Sequence, residues 1–568
     1  MAISRQRKRI IVILGCMTII ATICKIIVGV DIDENYIVVL GARLIQGDHL
    51  FRECWDLYQT TGLTMALFLW IFRGITGGFT GVVLASRIVA AIWQLLLGMF
   101  VYLCFRKQYR NADFVGLLVA NLLPRATLNL EYGFLSCNYI LIAVCLIDVV
   151  VESGGRFGKV TRHALFILAG LSYAMGILSY PTMVISLVAL LLFFWQKRKE
   201  IGKLFYTILL TWIVSAGIFL TYVFIYISPD EMWQNIWSGI LQDESHEGAN
   251  LFQSMLSSLI VKGDKLSQLF WMLGCAAALT VILFIWRRIK FSLTYAVMLV
   301  SSIALIVLNV FGIRPSGPYG LQIRYEMIVL FGMYEMYRWK NRNVVFLFYA
   351  MGILTFLGTL MGSNLGAAEN GAFLYFALIA LILCQGEIPY RKREEYILEF
   401  VAVVLFISSV IFAKGFFVRI DGTCPANVLE YRTRMEEGPL KGIYVYPSDG
   451  VKYHNRKAVI GKNCLQEDVV LFLTNDPIYN LYTEARFTSA TALTTPVYGE
   501  QWVEYYGRRQ YIQPSVVFID SSYIDNIEDF IQNTPFGKFL NEEKDFCVVE
   551  EAEGFWVLRV CTKREVVG

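Results

Sequence analysis

Charge is what this chain lacks. Of its 568 residues only 17% are charged, while 56% are hydrophobic and 14% aromatic; a soluble chain carries roughly a quarter charged residues. The mean hydropathy of +0.54 points the same way, to a polytopic membrane protein. A net charge of only +4, with no long basic tail and no RNA-binding motif, is too small to imply a nucleic-acid partner, and none is expected. The twelve cysteines form no CxxC pair and no zinc-site spacing, and most lie in apolar runs, where a thiol behaves as a small hydrophobe. No internal repeat and no low-complexity segment is evident.

What the chain has instead is a series of apolar runs long enough to cross a bilayer. The first follows MAISRQRKR, extends over about 20 residues and has no small-residue cleavage site behind it. It is expected to be an uncleaved span entering from the cytoplasm. Basic clusters lie at 5–9, 106–110, 156–162, 197–203, 287–290, 338–342 and 391–393. All fall on the cytoplasmic side if every gap between them holds an even number of spans, and every gap does. The expected spans are roughly 10–30, 81–105, 111–130, 137–152, 163–179, 181–196, 204–227, 266–287, 291–312, 322–337, 343–361, 371–386 and 396–416, about thirteen in all. The run 63–72 is only about ten residues, too short to cross, and is expected to lie along the outer face.

Polar complexity concentrates in the outer loops, above all in the first, DIDENYIVVLGARLIQGDHLFRECWDLYQTT (31–61). Ile37, Leu40 and Leu44 fall at helical spacing. That predicts a short amphipathic surface helix over 36–45, opened by Asp31, Asp33 and Glu34 and stopped at Gly47. Three carboxylates at a membrane exit are not needed to hold a helix in lipid, and they suggest chemistry at the interface. After residue 416 the composition turns mixed and acidic. Strand-like runs at 469–473, 515–519 and 555–560 and a helix-like stretch at 477–485 predict one small α/β domain over 417–568, outside the membrane. Its Cys424, Cys464, Cys547 and Cys561 allow one or two disulfides, or free thiols.

Asp33-Glu34-x-Tyr36 directly after an N-in first span, Arg43-Leu-Ile-Gln-Gly-Asp48, a helical first loop, about thirteen spans and an outer C-terminal domain together resemble the C-type membrane glycosyltransferases (GT-C). The nearest groups are the protein O-mannosyltransferases and the lipid A aminoarabinose transferase. The resemblance implies a mainly α fold: a polytopic transmembrane bundle over 1–416 with surface helices in the first outer loop, and an extracytoplasmic α/β domain over 417–568. It also implies a hexosyl- or pentosyltransferase of the cell envelope. Such an enzyme moves a sugar from a polyprenyl phosphate to a hydroxyl of an envelope glycan, lipid or protein, with inversion. By similarity Asp33 is the catalytic carboxylate. Asp31 competes for that role, and Glu34 is a supporting partner or a metal ligand. The proline-rich segment found after the first surface helix in the lipid A branch is missing, so the acceptor stays open.

Such a transfer needs positive charge for the leaving phosphate and polar groups for the sugar. Arg314 and Arg324 bracket a Pro-Ser-Gly-Pro-Tyr-Gly turn at an outer edge; arginine suits bidentate phosphate binding there, and equally marks helix ends by snorkelling. Arg87 is a further candidate, as is Arg125, for which Glu131 is a candidate structural partner. Tyr58, Tyr319, Trp55 and Trp233 could line a sugar or prenyl groove, or form an interfacial aromatic belt. Asn138 and Asn364 could bind a sugar or cap helices. Asp243, His246 and Glu247 could hold a divalent cation, the one cofactor the sequence suggests, or contact the phosphate, or form a solvated loop. Lys25 in the first span is expected to snorkel outward. The alternatives to an enzyme are a lipid-linked glycan transporter or polymerase, which needs ionisable groups at mid-depth on several spans, and a non-catalytic envelope scaffold.

Overall fold

The computed structural model describes residues 2–125, 127–152, 157–238, 264–311, 322–338, 343–363, 366–385, 393–418, 426–493, 499–522, 524 and 526–560. The chain divides into two compact units. One comprises Met1–Ile26, Ile88–Ile218 and Asn250–Val428, and the other Ile27–Arg87, Phe219–Ala249 and Leu429–Gly568.

The chain is mainly helical and multi-pass. Among the described residues ten helices are long and apolar enough to cross a bilayer: Arg5–Ile27, Val82–Phe105, Tyr132–Glu152, Lys159–Ser179, Leu204–Tyr226, Ser267–Arg287, Leu293–Val310, Val344–Met361, Ala367–Gln385 and Arg393–Phe416. Three of the expected spans fall short. Among the described residues of 111–130 only Ala112–Val119 is α-helical, since Pro124 has no N–H to continue the ladder. Over 181–196 a 3₁₀ turn, Pro181–Ser186, precedes the ten-residue helix Leu187–Gln196. Ile323–Arg338 has 16 residues and carries Arg324, Glu326 and Glu335. The span expected at 137–152 instead begins at Tyr132 and has 21 residues, because Glu131 accepts from Gly133 N at 2.6 Å and Phe134 N at 2.5 Å and so caps an earlier start.

Within the first unit, small residues let helices touch backbone to backbone, as packing in lipid requires. A Cβ on Gly352 would lie 2.3 Å from Ala377 N, and one on Gly98 would lie 2.6 Å from Gly116 O.

In the second unit, α2 (Ile32–Ile45) and α3 (Gly62–Thr76) follow the first span. They cross where Gly41 meets Met65; a Cβ on Gly41 would come within 2.6 Å of Met65 Cγ. The helix expected on the membrane surface forms, and protein covers it: residues 34–43 are all buried. The C-terminal part is built on a five-stranded sheet. Its strands are β1 (Val469–Leu473), β2 (Arg486–Phe487), β3 (Val516–Asp520), β4 (Phe546–Ala552) and β5 (Phe555–Val560). Their order is β2-β1-β3-β5-β4, with β2, β1 and β3 parallel and β5 antiparallel to both its neighbours. The central strands β1 and β3 are apolar almost throughout because both their faces are covered. The runs at 469–473, 515–519 and 555–560 supply β1, β3 and β5. The stretch at 477–485 contributes the 3₁₀ turn Pro477–Tyr482. Leu471, Leu473, Val517, Ile519 and Leu558 share one core with Trp502, Tyr505, Tyr506, Phe536 and Trp55 from the first loop. Cys547 is disulfide-bonded and Cys464 is free; Cys424 and Cys561 lie outside the described residues.

At the end of β3, Asp520 receives a bidentate pair from Arg456, at 2.5 and 2.9 Å, and the guanidinium lies 4.3 Å from the Phe555 ring centroid. Burial pushes the Asp520 carboxyl up, but the hydrogen bonds and charge of Arg456 prevail and hold it below its ordinary value. Stability from this depressed group is present above the unfolded aspartate value of about 3.9 and lost as the pH falls through the folded value. Thermal unfolding of the full chain followed from pH 7 to pH 3 is therefore expected to show Tm falling below about pH 4. Asp520→Asn should lower Tm at pH 7, by about 3 kcal/mol of stability, and flatten the acid limb.

Candidate functional site

The acidic turn after the first span is held from several directions. Asp31 is the N-cap of α2: its Oδ1 accepts from Asp33 N at 3.0 Å and Glu34 N at 3.4 Å. Glu34 is 1% exposed and receives both Nε (2.6 Å) and Nη2 of Arg87. The same guanidinium donates to Val28 O at 3.2 Å and Gly29 O at 2.7 Å, so Arg87 fixes the chain entering α2 as well as its first turn. Asn35, one residue on, donates to Asp476 Oδ1 at 2.8 Å. Asp476 also accepts from Tyr453 OH at 2.6 Å and Ile478 N at 3.2 Å. Burial pushes its carboxyl up, against the downward pull of these hydrogen bonds. Asp31, Glu34 and Asn35 are buried in this turn, and Asp33 is half-buried, the most accessible of its carboxylates.

The far end of α2 is anchored by Arg43, which is fully buried. It donates through Nε to Asp48 (2.9 Å), through Nη1 to Asp56 (3.4 Å) and Ala490 O (3.5 Å), and through Nη2 to Glu53 O and Ser489 O (both 2.7 Å). Asp48 also pairs with Arg486 at 3.2 Å, and Asp56 accepts from Ala492 N at 2.8 Å. The Arg43-to-Asp48 segment therefore joins the first loop to residues 485–492 of the C-terminal part. Its role is architectural.

In the other unit, a cavity of about 60 Å³ is lined by Lys25, Arg324 and Lys414, with Asn121, Gln322 and Tyr325 and an apolar remainder. Among the described residues that line it, none is acidic. Lys414 donates to Gln94 Oε1 at 2.9 Å and Ala120 O at 2.8 Å. Lys25 donates to Phe417 O at 3.1 Å. Arg324 donates to Ser409 Oγ and Tyr325 OH, both at 2.9 Å. These acceptors are neutral. The volume is several times the roughly 10–15 Å³ one water needs. On the opposite face of Val82–Phe105, the helix that carries Gln94, an apolar groove is lined by Val89, Ile92, Trp93, Leu96, Leu97, Phe100 and Ile142.

The structure thus brings Asp31, Asp33, Glu34 and Arg87 together in one unit and Arg324 into the cationic cavity of the other. Lys25, expected to snorkel outward, is buried in that cavity's wall. Tyr58 is buried beside Tyr36. Trp55 is a core residue, not a stacking platform. Asn138 is 4% exposed inside Tyr132–Glu152, and its Nδ2 meets no partner among the described residues. Arg125 lies over the Tyr132 and Phe373 rings. Arg314, Tyr319, Asn364, Asp243, His246 and Glu247 lie outside the described residues; among the described ones no group of three or more His, Cys, Asp or Glu could hold a metal ion. Sequence reading missed Lys414 and Asp476. A cation inside the last span was the available signal for the first; for Asp476 there was none, because its partner Asn35 is 441 positions away.

No protein-family model and no curated protein matches the chain. Among solved structures it is similar to an oligosaccharyltransferase from Archaeoglobus fulgidus crystallised with Zn and sulfate, at 12% identity and TM-score 0.47, covering 91% of this chain and 68% of that one. It is also similar to the Archaeoglobus fulgidus oligosaccharyltransferase AglB in complex with an inhibitory peptide and a dolichol-phosphate, at 13% identity and TM-score 0.46, covering 92% and 70%. A third is ArnT from Cupriavidus metallidurans bound to undecaprenyl phosphate, at 12% identity and TM-score 0.39, covering 99% of both chains. These are C-type membrane glycosyltransferases, the group the sequence resembles.

Removing the Arg43 guanidinium leaves Asp48 and Asp56 buried without it. Arg43→Met is expected to destabilise the full chain by about 3–5 kcal/mol, read as a lower Tm and faster proteolysis of the C-terminal part.

Proposed function

We propose that this protein is an integral membrane glycosyltransferase that takes its sugar from a polyprenyl phosphate and passes it to an acceptor hydroxyl on the extracytoplasmic face. The observation that carries this reading is the cavity whose described lining brings Lys25, Arg324 and Lys414 together. Basic side chains gathered in one wall recognise an anion, and a phosphate is such a group. A separate apolar groove in the same unit suits a branched hydrocarbon tail.

In the reaction Asp33 accepts the proton of the acceptor hydroxyl. The hydroxyl oxygen attacks the anomeric carbon from the face opposite the phosphate, the carbon–oxygen bond to the phosphate breaks, and configuration inverts. The leaving prenyl phosphate keeps the bonding electron pair, and the charge that develops on it calls for cationic groups. Asp31 and Glu34 are positioning residues: the first caps the helix that carries Asp33, and the second is bound to Arg87. The disulfide at Cys547 suits an oxidising compartment, which agrees with an extracytoplasmic C-terminal part and a cytoplasmic N-terminus. Sugar, acceptor and any divalent-cation requirement follow from the assay below, run with and without a chelator.

The test is transfer of labelled sugar from undecaprenyl-phosphate donors in proteoliposomes containing envelope extract. Asp33→Asn is expected to lower kcat by about 10²- to 10⁴-fold with Tm unchanged; full activity in that variant rejects Asp33 as the base. Lys414→Met is expected to lower kcat/KM by about ten- to a hundredfold, and binding of undecaprenyl phosphate itself should weaken in parallel. Undiminished phosphate binding in Lys414→Met rejects the cavity as the donor site. Movement of labelled donor across the bilayer without transfer would favour the transporter.

A further inference from the structure

A hairpin of the C-terminal part lies against the chain just before the acidic turn. Gly29 N donates to Tyr444 O at 2.9 Å, and Val28 bridges to Tyr444. Tyr444–Val445 pairs antiparallel with Thr433–Arg434. These contacts fall two and three residues ahead of Asp31, the N-cap of α2. The hairpin is also packed from behind: a Cβ on Gly450 would lie 2.7 Å from Thr433 Cγ2.

Tyr431 and Tyr446 flank this hairpin, with ring centroids 4.7 Å apart. Tyr446 is tied down through its OH to Glu430 Oε2. Tyr431 is different. It is 7% exposed, yet its hydroxyl meets no hydrogen-bond partner among the described residues. Burial, with Tyr446, Asp449, Glu430 and Asp31 around it, holds the phenol above the ordinary tyrosine range, so the oxygen keeps its proton and has a hydrogen to donate. Buried hydroxyls are nearly always bonded, and one that is not calls for an explanation. The Tyr431 O–H, beside Tyr446 and near the N-cap of α2, is therefore a donor whose hydrogen is left over.

We propose that Tyr431 is a substrate-binding residue whose hydroxyl donates to an oxygen of a sugar ring bound at the entry to α2. The inference rests on the glycosyltransferase reading and extends it: the C-terminal part takes part in recognising a hydroxylated ring. The ring belongs either to the donor sugar or to a glycan acceptor, and kinetics separate the two.

The experiment compares the full-length wild type with Tyr431→Phe, and uses two readouts. In proteoliposomes supplied with undecaprenyl-phosphate hexoses and pentoses, kcat/KM is expected to fall about tenfold, while Tm stays equal or rises because an unpaired hydroxyl has been removed. A rise in donor KM assigns the ring to the donor; a fall at unchanged donor KM assigns it to the acceptor. Unchanged kinetics, or a loss of activity accompanied by a lower Tm, overturns the proposal. The second readout is the thermal shift produced by methyl hexosides and pentosides at tens of millimolar. If the wild type transfers sugar from none of the donors, a glycoside-induced shift that Tyr431→Phe abolishes retains the sugar site and rejects the transferase reading. Absence of both transfer and shift in the wild type rejects both.

Discussion

A guanidinium removed from water must find an acceptor for each of its five N–H groups, and Arg43 does. Two of those acceptors are carboxylates in the first loop, one is a loop carbonyl, and two are carbonyls of residues 489 and 490. Because the partners come from segments more than four hundred positions apart, the loop after the first span cannot settle independently of the C-terminal part. Trp55 follows the same rule from the apolar side, entering the core formed by β1, β3 and β5. A buried ion pair of this kind contributes more to a single arrangement of the chain than to its free energy.

That constraint reaches the acidic turn. With its far end fixed by Arg43, α2 is fixed at its near end by Arg87 on Glu34 and by Asp476 on Asn35. Each of these partners is itself bonded twice or more, so the turn cannot shift without breaking several buried hydrogen bonds. A half-exposed carboxylate on such a turn is held in place without depending on its own side-chain contacts, which is what a group acting on a mobile substrate requires.

The membrane unit faces a different expense. Lys25, Arg324 and Lys414 are all nearly inaccessible, and their bonds go to carbonyls, an amide and hydroxyls. Neutral acceptors of this kind lower the cost of burial. A wall of basic side chains is electrostatically suited to an anion.

By itself the sequence determined the class of the protein and most of its elements. Scarce charge and long apolar runs can be satisfied only by helices in lipid. Short apolar runs such as 469–473 become strands, and an Asp-x-Asp-Glu cluster ahead of a helical period becomes an N-terminus. Span lengths were less legible: the break before Pro124 and the cap at Glu131 are local signals that a run of apolar residues conceals. Which acid caps and which acid stays accessible was decided by tertiary structure, since Asp31 and Asp33 are chemically identical and only their placement relative to the helix start differs. Tertiary structure alone also set Arg43 in a core and Lys25 and Lys414 in one wall, and it brought Asp476 to Asn35 and Tyr431 near Asp31. Pairings across hundreds of residues leave no periodicity to read, because they are fixed by which buried polar groups can satisfy one another once the chain has folded.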